Sequence, residues 1–135
     1  MNFDKNHPFF KNFSKSETDR ILSISEDFVF TTNEIIFKKD SLKFCGAIIV
    51  KTGKIDIYDD ISKSPIDGYE AGEYLNVSSL VFSRKRAFTA TAKEDSEVIF
   101  LEKSKMDSLM ESDNEISNIL EKLSVEEYDK GKLFG

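Results

Sequence analysis

The chain has 135 residues, 39% apolar and 33% charged, with a net charge of −6 at pH 7. That length suits one domain with a real core, and that balance excludes both a disordered segment and a free-standing basic nucleic-acid module, whose affinity rests on neutralising phosphates. Cys45 is the single cysteine, so no internal disulfide forms, and no apolar run approaches the roughly 20 residues of a membrane span. With a polar N-terminus that carries no signal segment, these features read as a cytoplasmic protein without a membrane partner.

In chain order, Pro8, Phe9, Phe10 and Phe13 form an aromatic cluster around a proline, read as a short helical turn that docks its rings. Ser14 and Glu17 make a capping box for a helix ending near Ser25, with Ile21, Leu22 and Ile24 as its apolar stripe. His7, the only histidine, has no second histidine or cysteine nearby, so no metal site is expected. From Asp27 the apolar period changes to two. Strands are expected over 28–32, 34–37, 43–50, 54–58, 65–70, 87–92 and 97–101, with turns at Gly53 and at Glu94, Asp95 and Ser96. Cys45 lies within one of these apolar runs and reads as a small buried hydrophobe.

Two helices are expected at the end. Ser104 is read as the cap of the first, which carries Met106, Leu109 and Met110, and Asp113 and Asn114 interrupt it. The second carries a narrow stripe of Ile116, Ile119, Leu120 and Leu123. The residues leave two homes for that stripe, the chain's own barrel or a second copy. Ser124 and Glu127 form a second capping-box pattern, at which the helix is expected to break and restart. Domain limits follow: one domain over 1–135, with an N-terminal helical segment (1–25), a β-roll (27–102) and C-terminal helices (104–132). The fold class is mainly β with flanking helices, a jelly roll or double-stranded β-helix that leaves few exposed strand edges.

The most informative stretch runs over 72–92: a glycine turn, a short apolar segment, the basic triplet Arg84, Lys85 and Arg86, and an alternating strand. A short helix followed by an arginine is one way to hold a phosphate, since backbone N–H groups and a forked guanidinium converge on it. A solvated hairpin turn is the other reading.

Taken together, these pieces resemble the cyclic nucleotide-binding domain, and more narrowly the N-terminal effector domain of bacterial regulators related to catabolite activator protein. The resemblance rests on Pro8-Phe9-Phe10, Glu34-Ile35-Ile36-Phe37, the run from Ile48 to Ile55 with Gly53, Gly72-Glu73-Tyr74-Leu75, Arg86 with Thr89 and Ala90, and Ser96-Glu97-Val98-Ile99. It implies a phosphate cassette of the form Phe-Gly-Glu, an apolar stretch, then Arg-Ser-Ala or Arg-Thr-Ala. Here the first three positions fall on Leu75, Asn76 and Val77, and the later ones on Arg86 and Ala87, with Thr89 nearby. Val77 cannot accept the ribose hydrogen bonds that the family's glutamate accepts, and Asn76 adds a side chain where the family has glycine. Arg86 keeps the phosphate-pairing position.

The resemblance therefore implies a regulatory domain in which ordinary cyclic AMP or cyclic GMP binding is lost. No cofactor is expected; a cyclic nucleotide or other anion held through Arg86 is one alternative, and a stand-alone protein-interaction module is another. A ligand-free domain is expected to fill the space behind Arg86 with Leu75, Val77, Leu80 and Phe88. The implied partners are a second copy, joined through Ile116, Ile119, Leu120 and Leu123, and a protein partner or a DNA-binding domain that this chain lacks. Direct nucleic-acid binding by the chain is not expected. Enzymatic activity is not expected either, since one histidine ahead of the barrel cannot build a cupin-type metal site or a nucleophilic triad.

Overall fold

The structure is a computed structural model that describes residues 3–41, 45–59, 61, 63–82 and 88–129. Eight strands form two four-stranded antiparallel sheets. They are β1 (Glu26–Phe30), β2 (Ile35–Phe37), β3 (Gly46–Thr52), β4 (Lys54–Tyr58), β5 (Asp67–Glu70), β6 (Tyr74–Leu75), β7 (Thr89–Ala92) and β8 (Ser96–Glu102). One sheet runs in the order β1-β8-β3-β6 and the other β2-β7-β4-β5. Four α-helices flank them: α1 (Lys15–Ile24), α2 (Ser78–Val81), α3 (Lys103–Ser112) and α4 (Asn114–Asp129). The expected mainly-β roll with helices at both ends is the fold observed.

The β3–β8 pair explains why two apolar runs occur without polar alternation. Ile49 faces Ile99 and Val50 faces Val98 in its register. Alternate residues serve different cores: Ile48, Val50, Val98 and Phe100 pack between the sheets, while Ala47, Ile49, Ile99 and Leu101 pack against the helices. A strand covered on both faces needs apolar residues at every position.

The N-terminal cluster forms a 3₁₀ helix over Pro8–Asn12 with Phe9 and Phe10 buried. Phe9 sits edge-on to Phe10 and to Tyr74, with ring centroids 5.1 and 5.0 Å apart. His7 caps this turn. Its Nε2 donates to the Val50 carbonyl (2.8 Å) and its Nδ1 accepts from the Phe9 N–H (3.1 Å), so the neutral imidazole satisfies both bonds. Ser14 and Glu17 complete the expected capping box of α1.

Three expectations need correction. The N-cap of α3 is Glu102, not Ser104, whose hydroxyl instead donates to the Glu102 carboxylate. Helix α4 does not break at Ser124 but runs through to Asp129. Its start is set by Asp113, whose Oδ1 accepts from the N–H groups of Glu115 and Ile116. The stripe of Ile116, Leu120 and Leu123 is covered by the chain's own helical core, and Ile119 packs part-buried against it. Ile116, Leu120 and Leu123 share that core with Phe9, Leu80 and Met106 of the same molecule and are buried there, whereas Ile119 keeps part of its surface.

His7 makes the fold sensitive to pH. Burial lowers its pKa, against the opposing pulls of the Val50 carbonyl and Asp4. The unfolded chain thus takes up this proton at a higher pH than the folded one. The neutral ring's contribution is fully present above the unfolded histidine pKa of about 6.5 and is lost as pH falls from there through the folded value. Chemical unfolding of wild type and His7→Gln between about pH 7.5 and pH 5 should show a stability difference that shrinks on acidification; a constant difference would contradict this account.

Candidate functional site

The cassette begins where β6 leaves the edge of the sheet. Pairing of Ile48 with Leu75 and of Ile49 with Tyr74 fixes this point on β3. Strand β6 is only two residues long, too short for a period to show in the sequence. Asn76 then turns the chain from strand to helix in the left-handed region, at φ +66°. The resemblance places the family's glycine at this position, and asparagine is among the few other residues that adopt that conformation. Its side chain is 1% exposed, and neither amide atom has a hydrogen-bond partner among the described residues. A buried amide without partners costs about 1–3 kcal/mol.

The turn at Asn76 splits the four side chains expected to fill the ligand space. Leu75 and Phe88 belong to the core between the sheets, whereas Val77 and Leu80 point into the helical core. The four side chains are thus divided between the two cores, and the space behind Arg86 lies outside the described residues. Thr89 opens β7, and its hydroxyl accepts from the Lys39 N–H at 3.1 Å. Arg86 and Ala87, the two remaining cassette positions, lie outside the described residues, as do Arg84 and Lys85.

Helix α2 is a single turn, and Val77 at its N-cap has no side chain that can cap it. The missing cap comes from 50 residues away: Glu127 Oε2, on α4, accepts from the Val77 N–H at 2.7 Å. Glu127 is 6% exposed, so this is a buried, charge-assisted bond. At the other end, Lys103 Nζ on α3 donates to the Leu80 carbonyl at 3.2 Å while also pairing with Asp107 at 2.9 Å. A carboxylate thus holds the amide end of α2 and an ammonium its carbonyl end, each from a different C-terminal helix. The sequence suggested a local cap for Glu127; its real partner is across the fold.

Beside this clamp lies a cavity of about 190 Å³ between the β5–β6 turn and the end of α4. Tyr69 and Tyr74 wall it, with Glu73, Glu126 and Glu127 around them. Burial pushes the Tyr69 hydroxyl pKa up, followed by the charges of Asp67, Glu127 and Glu73. Tyr74 is raised by burial and then by Glu126 and Glu127. No group of histidine, cysteine or carboxylate side chains among the described residues is close enough together to hold a metal ion.

With this geometry in place, the comparisons can be read. Residues 28–113 match the profile of the cyclic nucleotide-binding domain, so the chain belongs to that family. No curated protein sequence matches it. Among solved structures, a Geobacter metallireducens protein to which cyclic nucleotide binding is ascribed superposes with a TM-score of 0.80 at 20% identity, covering 98% of this chain and 99% of that one. The catabolite activator protein of Thermus thermophilus superposes at 0.77 with 21% identity, covering 93% of this chain and 60% of that one. A Ruegeria pomeroyi protein with the same ascribed binding gives 0.76 and 17%, covering 93% and 57%. This chain thus spans little more than half the length of the last two. At these identities the likeness shows the fold.

Two pairs of substitutions test the local energetics. Glu127→Ala strands the Val77 N–H and is expected to cost about 2 kcal/mol in urea unfolding, with Glu127→Gln, which keeps an acceptor oxygen, costing less. Asn76→Gly removes a buried unpaired amide at a left-handed position, so it should be more stable than Asn76→Ala by about 1 kcal/mol. Equal losses for the two members of either pair would contradict the geometry.

Proposed function

We propose that this chain is the effector domain of a bacterial regulator in which the cassette is governed by the C-terminal helices rather than by cyclic AMP or cyclic GMP. The observation that carries this reading is the Glu127 carboxylate on the Val77 N–H, 2.7 Å away. The cassette amide is engaged by the chain's own anion, on the residue where the family's ribose-binding glutamate has become valine. A ribose hydroxyl buried there without a partner costs about 1–3 kcal/mol, which weakens the nucleotide by one to two orders of magnitude. The position of α2 is then read out through α3 and α4, which carry it to a DNA-binding domain or a protein partner. We take the domain to be non-catalytic and cytoplasmic: both ring nitrogens of its only histidine are committed to backbone groups, and no described helix is long and apolar enough to cross a membrane.

A second reading is favoured by one observation, the buried amide of Asn76. In it, the cassette has been rebuilt for another small anion, with Arg86 retained as its charge partner and Asn76 reading a neutral polar group. The two readings separate in thermal unfolding with millimolar cyclic AMP, cyclic GMP and inorganic phosphate, for wild type and Arg86→Ala. Binding to the folded state raises Tm by linkage. The first reading expects no shift with either nucleotide. A shift with one of them that disappears in Arg86→Ala overturns it.

For the homodimer we propose the exposed strip of α4 that carries Val125 and Tyr128, at 58% and 68% exposure. Light scattering should give a dimer for wild type and a monomer of unchanged Tm for the double change Val125→Asp and Tyr128→Asp. A monomeric wild type contradicts the assignment.

A further inference from the structure

The N-terminal 3₁₀ turn is fastened over the segment that leads into the cassette, and the fastening runs through the chain's only histidine. His7 Nε2 donates to the Val50 carbonyl at 2.8 Å. Pro8 lies against Gly72, its Cγ 3.9 Å from where a Cβ on that glycine would sit. The Phe9 ring stands edge-on to Tyr74, the first residue of β6, at 5.0 Å. Val50 is the shared anchor. Its carbonyl also accepts from the Gly72 N–H at 3.1 Å, and its own N–H donates to the Glu73 carbonyl at 2.9 Å. The N-terminal turn, the β5–β6 turn and β3 thus meet at one residue.

The same imidazole caps the turn, because its Nδ1 accepts from the Phe9 N–H at 3.1 Å. Only the neutral ring with its proton on Nε2 makes both bonds. A second proton on Nδ1 sets donor against donor across that distance, and it places the charge on a ring that is 8% exposed. Burial opposes this proton most, while the Val50 carbonyl and Asp4, on the preceding 3₁₀ turn (Phe3–Asn6), favour it; the ring's pKa lies below the ordinary histidine value. Asp4 is shared with Lys51 of β3 (3.0 Å), which also approaches Asp27 of β1 at 4.0 Å. Lys5 is drawn to Asp19 of α1 at 2.9 Å, Lys11 is exposed, and the Glu73 carboxylate is held by the Glu70 N–H at 2.8 Å.

We propose that His7 is a proton-operated latch: protonation of its ring releases the turn over 8–12 from Val50, Gly72 and Tyr74, and so loosens the β5–β6 turn from which the cassette starts. Opening exposes the ring and returns its proton affinity to that of a solvated histidine, with a pKa of about 6.5. Acid therefore depopulates the closed form, which binds the proton less tightly, by up to about tenfold per pH unit below that value. The latch acts on the cassette whatever the cassette binds.

Native-state amide exchange of the whole chain, corrected for the intrinsic pH dependence of exchange, tests this beside an NMR titration of the His7 ring. The ring should titrate below about pH 6.5. Protection at the Phe9 and Gly72 amides should fall by up to about tenfold per pH unit between about pH 6.5 and the ring's midpoint. Both amides should exchange faster than those of the β3–β8 pair and respond little to dilute urea, the mark of a local opening. His7→Asn keeps an N-cap oxygen for the Phe9 N–H but does not titrate, so its protection should stop depending on pH. Asp4→Asn removes a carboxylate that favours the imidazolium, so the ring midpoint and the loss of protection should move to lower pH together. Wild-type protection that does not change with pH, exchange at Phe9 and Gly72 that matches the β3–β8 amides in rate and urea dependence, a pH dependence that survives in His7→Asn, or ring and amides that move apart in Asp4→Asn would overturn the proposal.

Discussion

A single buried hydrogen bond, from the Val77 N–H to Glu127 at 2.7 Å, ties the last turn of α4 to the short helix that follows β6. Helix α2 is four residues long and has no side-chain cap of its own. One helical turn cannot hold itself together in water, because nucleation fixes several residues for a single hydrogen bond. It persists here because Glu127 grips its amide end, Lys103 its carbonyl end, and Val77 and Leu80 are buried in the helical core. The position of α2 is therefore set by α3 and α4. In the proposed reading a shift of either helix is passed to the cassette, and the coupling is reciprocal.

The clamp can be built only because the sheet carrying β3 and β8 is covered on both faces. Its inter-sheet face closes the roll, and its other face supplies Ala47, Ile49, Ile99 and Leu101 as a floor for α2, α3 and α4. Strand β6 hangs from the edge of that floor through two residue pairs. A short anchor of this kind fixes where the cassette starts while leaving its helix to be positioned by the elements packed on it.

Much of the architecture could be read from local signals. The Ser14 and Glu17 capping box, the turn at Gly53 between two strands, and the break at Asp113 all depend on neighbours within a few residues, and each is where it was expected. What could not be read depends on partners far apart in the chain. Ser124 and Glu127 carry a capping pattern, yet the Glu127 carboxylate finds a donor 50 residues away and the helix continues. The stripe of Ile116, Leu120 and Leu123 has the spacing of a dimer seam, and spacing alone cannot tell a partner's apolar face from the chain's own sheet. Val77, Leu80 and Leu75 were expected together behind Arg86, which lies outside the described residues; beyond the left-handed turn at Asn76, Val77 and Leu80 lie in the helical core and Leu75 in the core between the sheets.

The most direct measurement of the clamp is amide hydrogen exchange at Val77. In the wild type this amide, bonded to a buried carboxylate, should exchange as slowly as its neighbours in α2 or more slowly. In Glu127→Ala the Val77 amide should lose protection by a larger factor than the amides of the β3–β8 pair, which report global stability. Rapid exchange at Val77 in the wild type, or equal loss at Val77 and throughout β3 and β8, would contradict the account, because the bond would then be no constraint on the cassette.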